Sequence, residues 1–140
     1  MSESINYGAV LLATVVQLIV GGIWYTPVFG KVWGKIHGFD ALSKKTQAEM
    51  QKEMVPLLVA QFLVTGVTAL FLAQFMLLLS EIRPYELATW LWLGFMVPVQ
   101  ISAVLFGGTE KQWISKKILI MAGGSFVCIQ LAAVIINWLQ

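Results

Sequence analysis

Residues 54–80 read MVPLLVAQFLVTGVTALFLAQFMLLLS, 27 positions without one Asp, Glu, Lys or Arg. The hydrocarbon layer of a bilayer is about 30 Å thick and takes about 20 helical residues to cross, so this stretch is long enough to span it. Working outward, three more stretches are equally free of charge: 5–30, 87–109 and 118–140. All four are too long and too uniformly apolar for barrel strands, which alternate over roughly ten residues. The expected fold is therefore all-α, an integral membrane bundle of four transmembrane helices forming a single domain over 1–140.

Composition agrees. Of 140 residues, 59% are hydrophobic and 11% charged, and the mean hydropathy is +0.82. A soluble core of this size cannot bury so much apolar surface. The chain opens Met-Ser-Glu-Ser and its first basic residue is Lys31; a secretory signal carries its basic residues before the apolar run, so the first span is expected to be retained. Prolines and charges place the helices at about 5–25, 56–80, 85–106 and 118–139. Thr26-Pro27 is expected to end the first, because proline disfavours helical geometry in the residue before it. Pro56 and Pro84 suit helix starts, where a missing N–H costs nothing, and Pro98 should bend the third span.

Eight of the nine basic residues lie in the first and third loops: Lys31, Lys35, Lys44, Lys45, Lys52, Lys111, Lys116 and Lys117, with Arg83 the exception. The positive-inside rule then puts those loops in the cytoplasm and both termini outside, in a multi-pass protein of the cytoplasmic membrane. The nine Trp and Tyr residues read as interfacial anchors: Tyr7, Tyr85, Trp90, Trp92 and Trp138 at the outer ends, Trp24, Tyr25, Trp33 and Trp113 at the inner ends. Any homo-oligomer of so biased a chain is expected to be parallel.

Polar residues inside the spans need partners. Gln17, Gln61, Gln100 and Gln130, one per span, all fall between mid-membrane and the cytoplasmic face under this topology. They are expected either to bond helix to helix or to floor a pocket open to the cytoplasm. Gln74 points away from the Gln61, Thr65 and Thr68 stripe, and Gly124, Cys128 and Ala132 form a flat strip; both features suit self-association.

The absences exclude more than the presences suggest. With no Asp, Glu, Lys, Arg or His in any of the four charge-free stretches, carboxylate-coupled transport has no carrier. His37 is the lone histidine and Cys128 the lone cysteine, so neither a metal nor a cofactor is expected. No catalytic set and no phosphate loop can be placed, so the chain does not read as an enzyme. The lysines are explained by topology rather than by nucleic acid; membrane lipids are the expected partners.

The first loop is the most specific segment. Gly22-Ile23-Trp24-Tyr25-Thr26-Pro27-Val28-Phe29-Gly30-Lys31-Val32-Trp33 packs four aromatics, a proline and two glycines into twelve residues. It is expected to form a rigid turn at the inner interface, with Trp24, Tyr25, Pro27, Phe29 and Trp33 beside Gln17, Gln61, Gln100 and Gln130 as candidate ligand contacts. Leu42, Thr46, Met50 and Met54 share one face, which predicts a short amphipathic cytoplasmic helix between the first and second spans. This junction resembles a membrane family known as domain of unknown function 1761. Its members end their first helix in Gly-x-x-Trp-Tyr-Ser-Pro-x-x-Phe-Gly-Lys-x-Trp. Gly21 or Gly22, Trp24, Tyr25, Pro27, Phe29, Gly30, Lys31 and Trp33 match, with Thr26 for the serine and one residue fewer between proline and phenylalanine. Trp92-Leu93-Gly94-Phe95, Leu105-Phe106 and Trp138 extend the likeness, while Gly107 stands where members often carry an acid. The resemblance implies a four-helix membrane protein and no particular activity.

Two functions remain open: a non-enzymatic, oligomeric protein that binds a lipid or a partner helix, or a small permeation pathway for a neutral solute. Orientation is directly testable. Cysteines placed at Ser2 and Gln140 should react with an impermeant thiol reagent in intact cells, and one at Ser43 should not; labelling at Ser43 alone would invert the topology.

Overall fold

Asn6 ties the two ends of the chain together. Its side-chain oxygen accepts the Ala9 N–H at 3.1 Å, satisfying one of the free donors of the first helix turn. Its side-chain amide donates to the Leu139 carbonyl at 2.9 Å, at the close of the last helix. The computed structural model describes residues 4–140, and four of its helical units are long and apolar enough to cross a membrane. α1 is Tyr7–Ile23, prolonged by a π turn over Trp24–Val28; α2 is Gly30–Ile36; α3 is Lys44–Leu78. α4 (Pro84–Leu91), a π turn (Trp92–Met96) and α5 (Val97–Phe106) form the third span, and α6 is Ile114–Leu139.

α1 packs between α3 and α6, and α6 in turn packs against α4 and α5. Seven of the fourteen buried apolar residues among those described are alanines: Ala9, Ala13, Ala69, Ala73, Ala88, Ala132 and Ala133. Their small side chains let backbones approach closely, which is how helices associate where lipid tails are as apolar as leucine. The large side chains face outward instead, for example Leu57, Leu63, Val64 and Phe71 on α3.

Two boundaries differ from the sequence reading. Pro27 does not end the first helix: the Phe29 N–H reaches back five residues to the Trp24 carbonyl at 2.9 Å, and the widened π turn takes in the proline ring. The chain then turns at Gly30, where a Cβ would lie 3.3 Å from the Tyr25 carbonyl oxygen. Pro98 is handled the same way, since the Val97 N–H bonds the Trp92 carbonyl one residue before it.

The separate amphipathic helix expected from Leu42, Thr46, Met50 and Met54 does not exist as such. Ser43 caps a single 35-residue helix, its hydroxyl accepting from Thr46 N–H at 3.2 Å. That helix runs through Pro56 into the second span without a break. Pro56 frees a carbonyl one turn earlier, at Lys52, where residues 48–60 are all exposed and water can take the place of the missing partner. α3 therefore extends about 50 Å at 1.5 Å per residue and overhangs the hydrocarbon layer at its lysine-bearing end. The short helix between the first two spans is α2.

Because Asn6 both caps α1 and holds the α6 terminus, Asn6→Ala should lower stability in detergent micelles by about 1 kcal/mol in thermal unfolding. Asn6→Asp, which keeps the cap acceptor and loses the donor to Leu139, should fall between wild type and alanine.

Candidate functional site

Trp24 does more than float at an interface. Its indole N–H donates to the Ile120 carbonyl of α6 at 2.9 Å, and its ring lies flat over two glycines. A Cβ on Gly124 would come within 2.9 Å of Trp24 Cδ1 and Nε1, and one on Gly123 within 3.0 Å of Cζ2. Phe29 packs against it, ring centres 4.8 Å apart and planes tilted by 49°. Trp92 repeats the contact from the other side of α6, donating to the Ala122 carbonyl at 2.9 Å and the Ser125 hydroxyl at 3.1 Å. Both tryptophans open π turns. Trp92 is thus a bundle contact rather than the outer anchor its sequence position suggested; Trp90 and Trp138 are exposed, as anchors are.

The glutamines do not meet. Gln17 is buried and donates to the Ala13 carbonyl of its own helix at 3.3 Å. Gln61 donates to Thr65 at 3.0 Å, again on its own helix. Gln100 accepts from Ser125 on α6 at 3.3 Å. Gln130 donates to Thr89 at 2.8 Å and to the Tyr85 carbonyl at 3.3 Å. Since Tyr85 and Thr89 form the first turns of α4, Gln130 lies in the half of the bundle that carries the termini, not in the half assigned to it from sequence. Five separate bonds, none of them between two glutamines, stand in place of the expected cluster.

The small-residue strip is also used internally. Gly124 holds Trp24, the Cys128 thiol points at the Gln17 carbonyl at 3.7 Å, and Ala132 is buried in the core with Ala13 and Ile136. Gly124 and Ala132 are buried, while Cys128 and Gln74 on α3 are half-buried. At the opposite end from the termini, α2 folds back so that Trp33 touches Tyr25 edge-on at 4.7 Å and His37 at 4.5 Å. Lys117 of α6 sits 5.7 Å over the Trp33 ring and Lys116 5.2 Å over Trp113. In the segment that follows α1, Trp24 thus pairs with Phe29 and Tyr25 with Trp33.

A groove not foreseen from sequence opens between α3 and the third span, where those two make only slight contact. It has a volume of about 270 Å³ and is lined by Thr68, Phe71, Leu72 and Phe75 of α3, Leu91, Phe95 and Met96 of the third span, and Ile129 of α6. Nothing in the periodicity marks it, since an apolar residue facing a cleft and one facing lipid look alike in sequence.

These features define a small multi-pass helical membrane protein whose spans are locked onto α6 by two tryptophans. Residues 8–137 match the model of the family described as protein of unknown function (DUF1761). The chain belongs to that family. No curated protein and no solved structure matches it.

Close contact between Trp24 and α6 gives a controlled comparison. Gly124→Ala should destabilise by about 1–3 kcal/mol, the usual range for overpacking, and should shift Trp24 emission as the indole leaves Ile120. Gly22→Ala, where a Cβ would meet nothing within 4 Å, should be neutral or stabilise by up to about 1 kcal/mol.

Proposed function

We propose that the protein is a non-enzymatic binding protein of the cytoplasmic membrane that holds one acyl chain of a membrane lipid in the groove between α3 and the third span. The observation that carries this reading is the size and lining of the groove. From Thr68 to Phe75 it extends about 10 Å along α3, at 1.5 Å per residue. A single hydrocarbon chain matches that length and the apolar lining. Three phenylalanines and a methionine supply an adaptable apolar wall. Thr68 adds no polar demand, because its hydroxyl already donates to the Val64 carbonyl at 3.3 Å.

The lysine distribution supports an orientation with both termini outside and every copy parallel in any homo-oligomer. With the α6 strip occupied by α1, Gln74 on α3 is the polar residue left to join copies. Permeation of a neutral solute finds less support, since Gln17, Gln61, Gln100 and Gln130 bond separately instead of lining one path.

Native mass spectrometry of the protein released from lipid nanodiscs tests the reading. Wild type should retain one phospholipid per protomer, and Thr68→Phe, which fills the groove and leaves no partner unpaired, should lose it without a change in melting temperature. Equal retention in both would refute the groove as the site.

A further inference from the structure

Depth along the helices decides which lipids reach the groove. The turn between its two walls, residues 79–83, joins Leu78 of α3 to Pro84 of α4. It carries Ser80, Glu81 and Arg83, so both helices end near the edge of the hydrocarbon layer, where polar side chains are tolerated. Counting 1.5 Å per residue inward from those ends, Phe75 lies about 5 Å deep and Thr68 about 15 Å on α3; Leu91 lies about 10 Å and Phe95 about 17 Å deep on the third span. Half the hydrocarbon thickness is about 15 Å. The lining therefore begins below the interface and stops near the bilayer midplane, within one leaflet. That leaflet is on the side of the termini, because the Asn6 side chain holds the Leu139 carbonyl and Gln130 reaches Tyr85 and Thr89 at the start of α4.

No group in the lining can recognise a headgroup. Its residues are apolar except Thr68, whose hydroxyl lies at the deep end and donates to the Val64 carbonyl at 3.3 Å. The charges nearest in the chain, Arg83 and Glu86, are not among the lining residues. They meet the Tyr85 hydroxyl between them at 2.8 and 3.4 Å instead. Lipid tails are as apolar as the groove walls, so a chain that enters gains no hydrophobic free energy. What it gains is close dispersion contact along Phe71, Phe75 and Phe95, and that contact is the same whatever headgroup the chain hangs from.

Resting on the groove reading above, we infer that the site holds the middle of one acyl chain of a lipid from the leaflet on the side of the termini, and takes that lipid without regard to its headgroup.

Two measurements test this together. In the first, phosphatidylcholine bearing a diazirine either at mid-chain or at the methyl end of one chain is photolysed in nanodiscs with wild type or Thr68→Phe, and the labelled residues are read by mass spectrometry. The mid-chain probe should mark Phe75 and Leu91, the shallow end of the groove, several-fold more in wild type than in Thr68→Phe. A chain rising from the opposite leaflet brings only its methyl end to the groove, so a larger Thr68→Phe effect on the methyl-end probe would overturn the leaflet assignment. In the second, native mass spectrometry follows retention from nanodiscs of equal parts phosphatidylethanolamine, phosphatidylglycerol and phosphatidylcholine with identical chains. Wild type should retain the three within about twofold of one another, a spread well under 1.4 kcal/mol, and Arg83→Gln should leave the proportions unchanged. A preference beyond that range, or a shift of the proportions in Arg83→Gln, would overturn headgroup independence and leave the groove standing. Labelling and retention that survive Thr68→Phe unchanged would overturn the groove itself.

Discussion

Within hydrocarbon, the apolar surface of a helix is solvated as well by lipid as by another helix, so the bundle depends on how closely backbones can approach. Alanines at 9, 13, 69, 73, 132 and 133 provide that approach between α1, α3 and α6. The same constraint makes α6 the axis of the molecule. It is packed by α1 on one side and by α4 and α5 on another, and its Gly123-Gly124 pair lets the Trp24 ring lie against helix backbone.

Tryptophan is suited to that place because it brings a large rigid surface and a single donor. Helix carbonyls already accept one bond but have a second lone pair, and in a medium without water an indole N–H left unbonded would be costly. Trp24 and Trp92 use this twice, on carbonyls two residues apart. The π turn at each tryptophan, beside Pro27 and ahead of Pro98, relieves the proline ring in the helix that presents the indole. Proline, π turn and tryptophan thus act as one joint in each of two spans.

Tight packing on α6 has an opposite consequence at the far side. α3 contacts α1 extensively and the third span only slightly, so the layer of helices does not close, and the gap is the apolar groove. Its lining is nearly all hydrocarbon-like, which suits a lipid chain, while the polar groups of the interior are consumed in separate helix-to-helix or same-helix bonds. Tyr25, Trp33 and His37, with Lys117 over the Trp33 ring, form the opposite pole of the molecule.

How much of this was legible in the sequence follows from the range of each interaction. Four spans were readable because membrane crossing depends on a property summed along about 20 consecutive residues, and the family motif around Trp24 is likewise local. Helix ends at Pro27 and Pro56 were misread because proline's local penalty can be absorbed by a π turn or by water, which no neighbour in sequence reveals. The glutamine cluster failed for a different reason: facing direction on a helix is periodic, but Gln100 finds Ser125 and Gln130 finds Thr89 only once two helices are set in register. Trp24 over Gly124, and the groove between Phe71 and Phe95, likewise depend on distances between residues far apart in the chain. Composition and periodicity thus determined that this protein crosses a membrane four times, whereas the tertiary structure alone decided which side chains meet, because helix register and spacing are set by close contacts that no single helix contains.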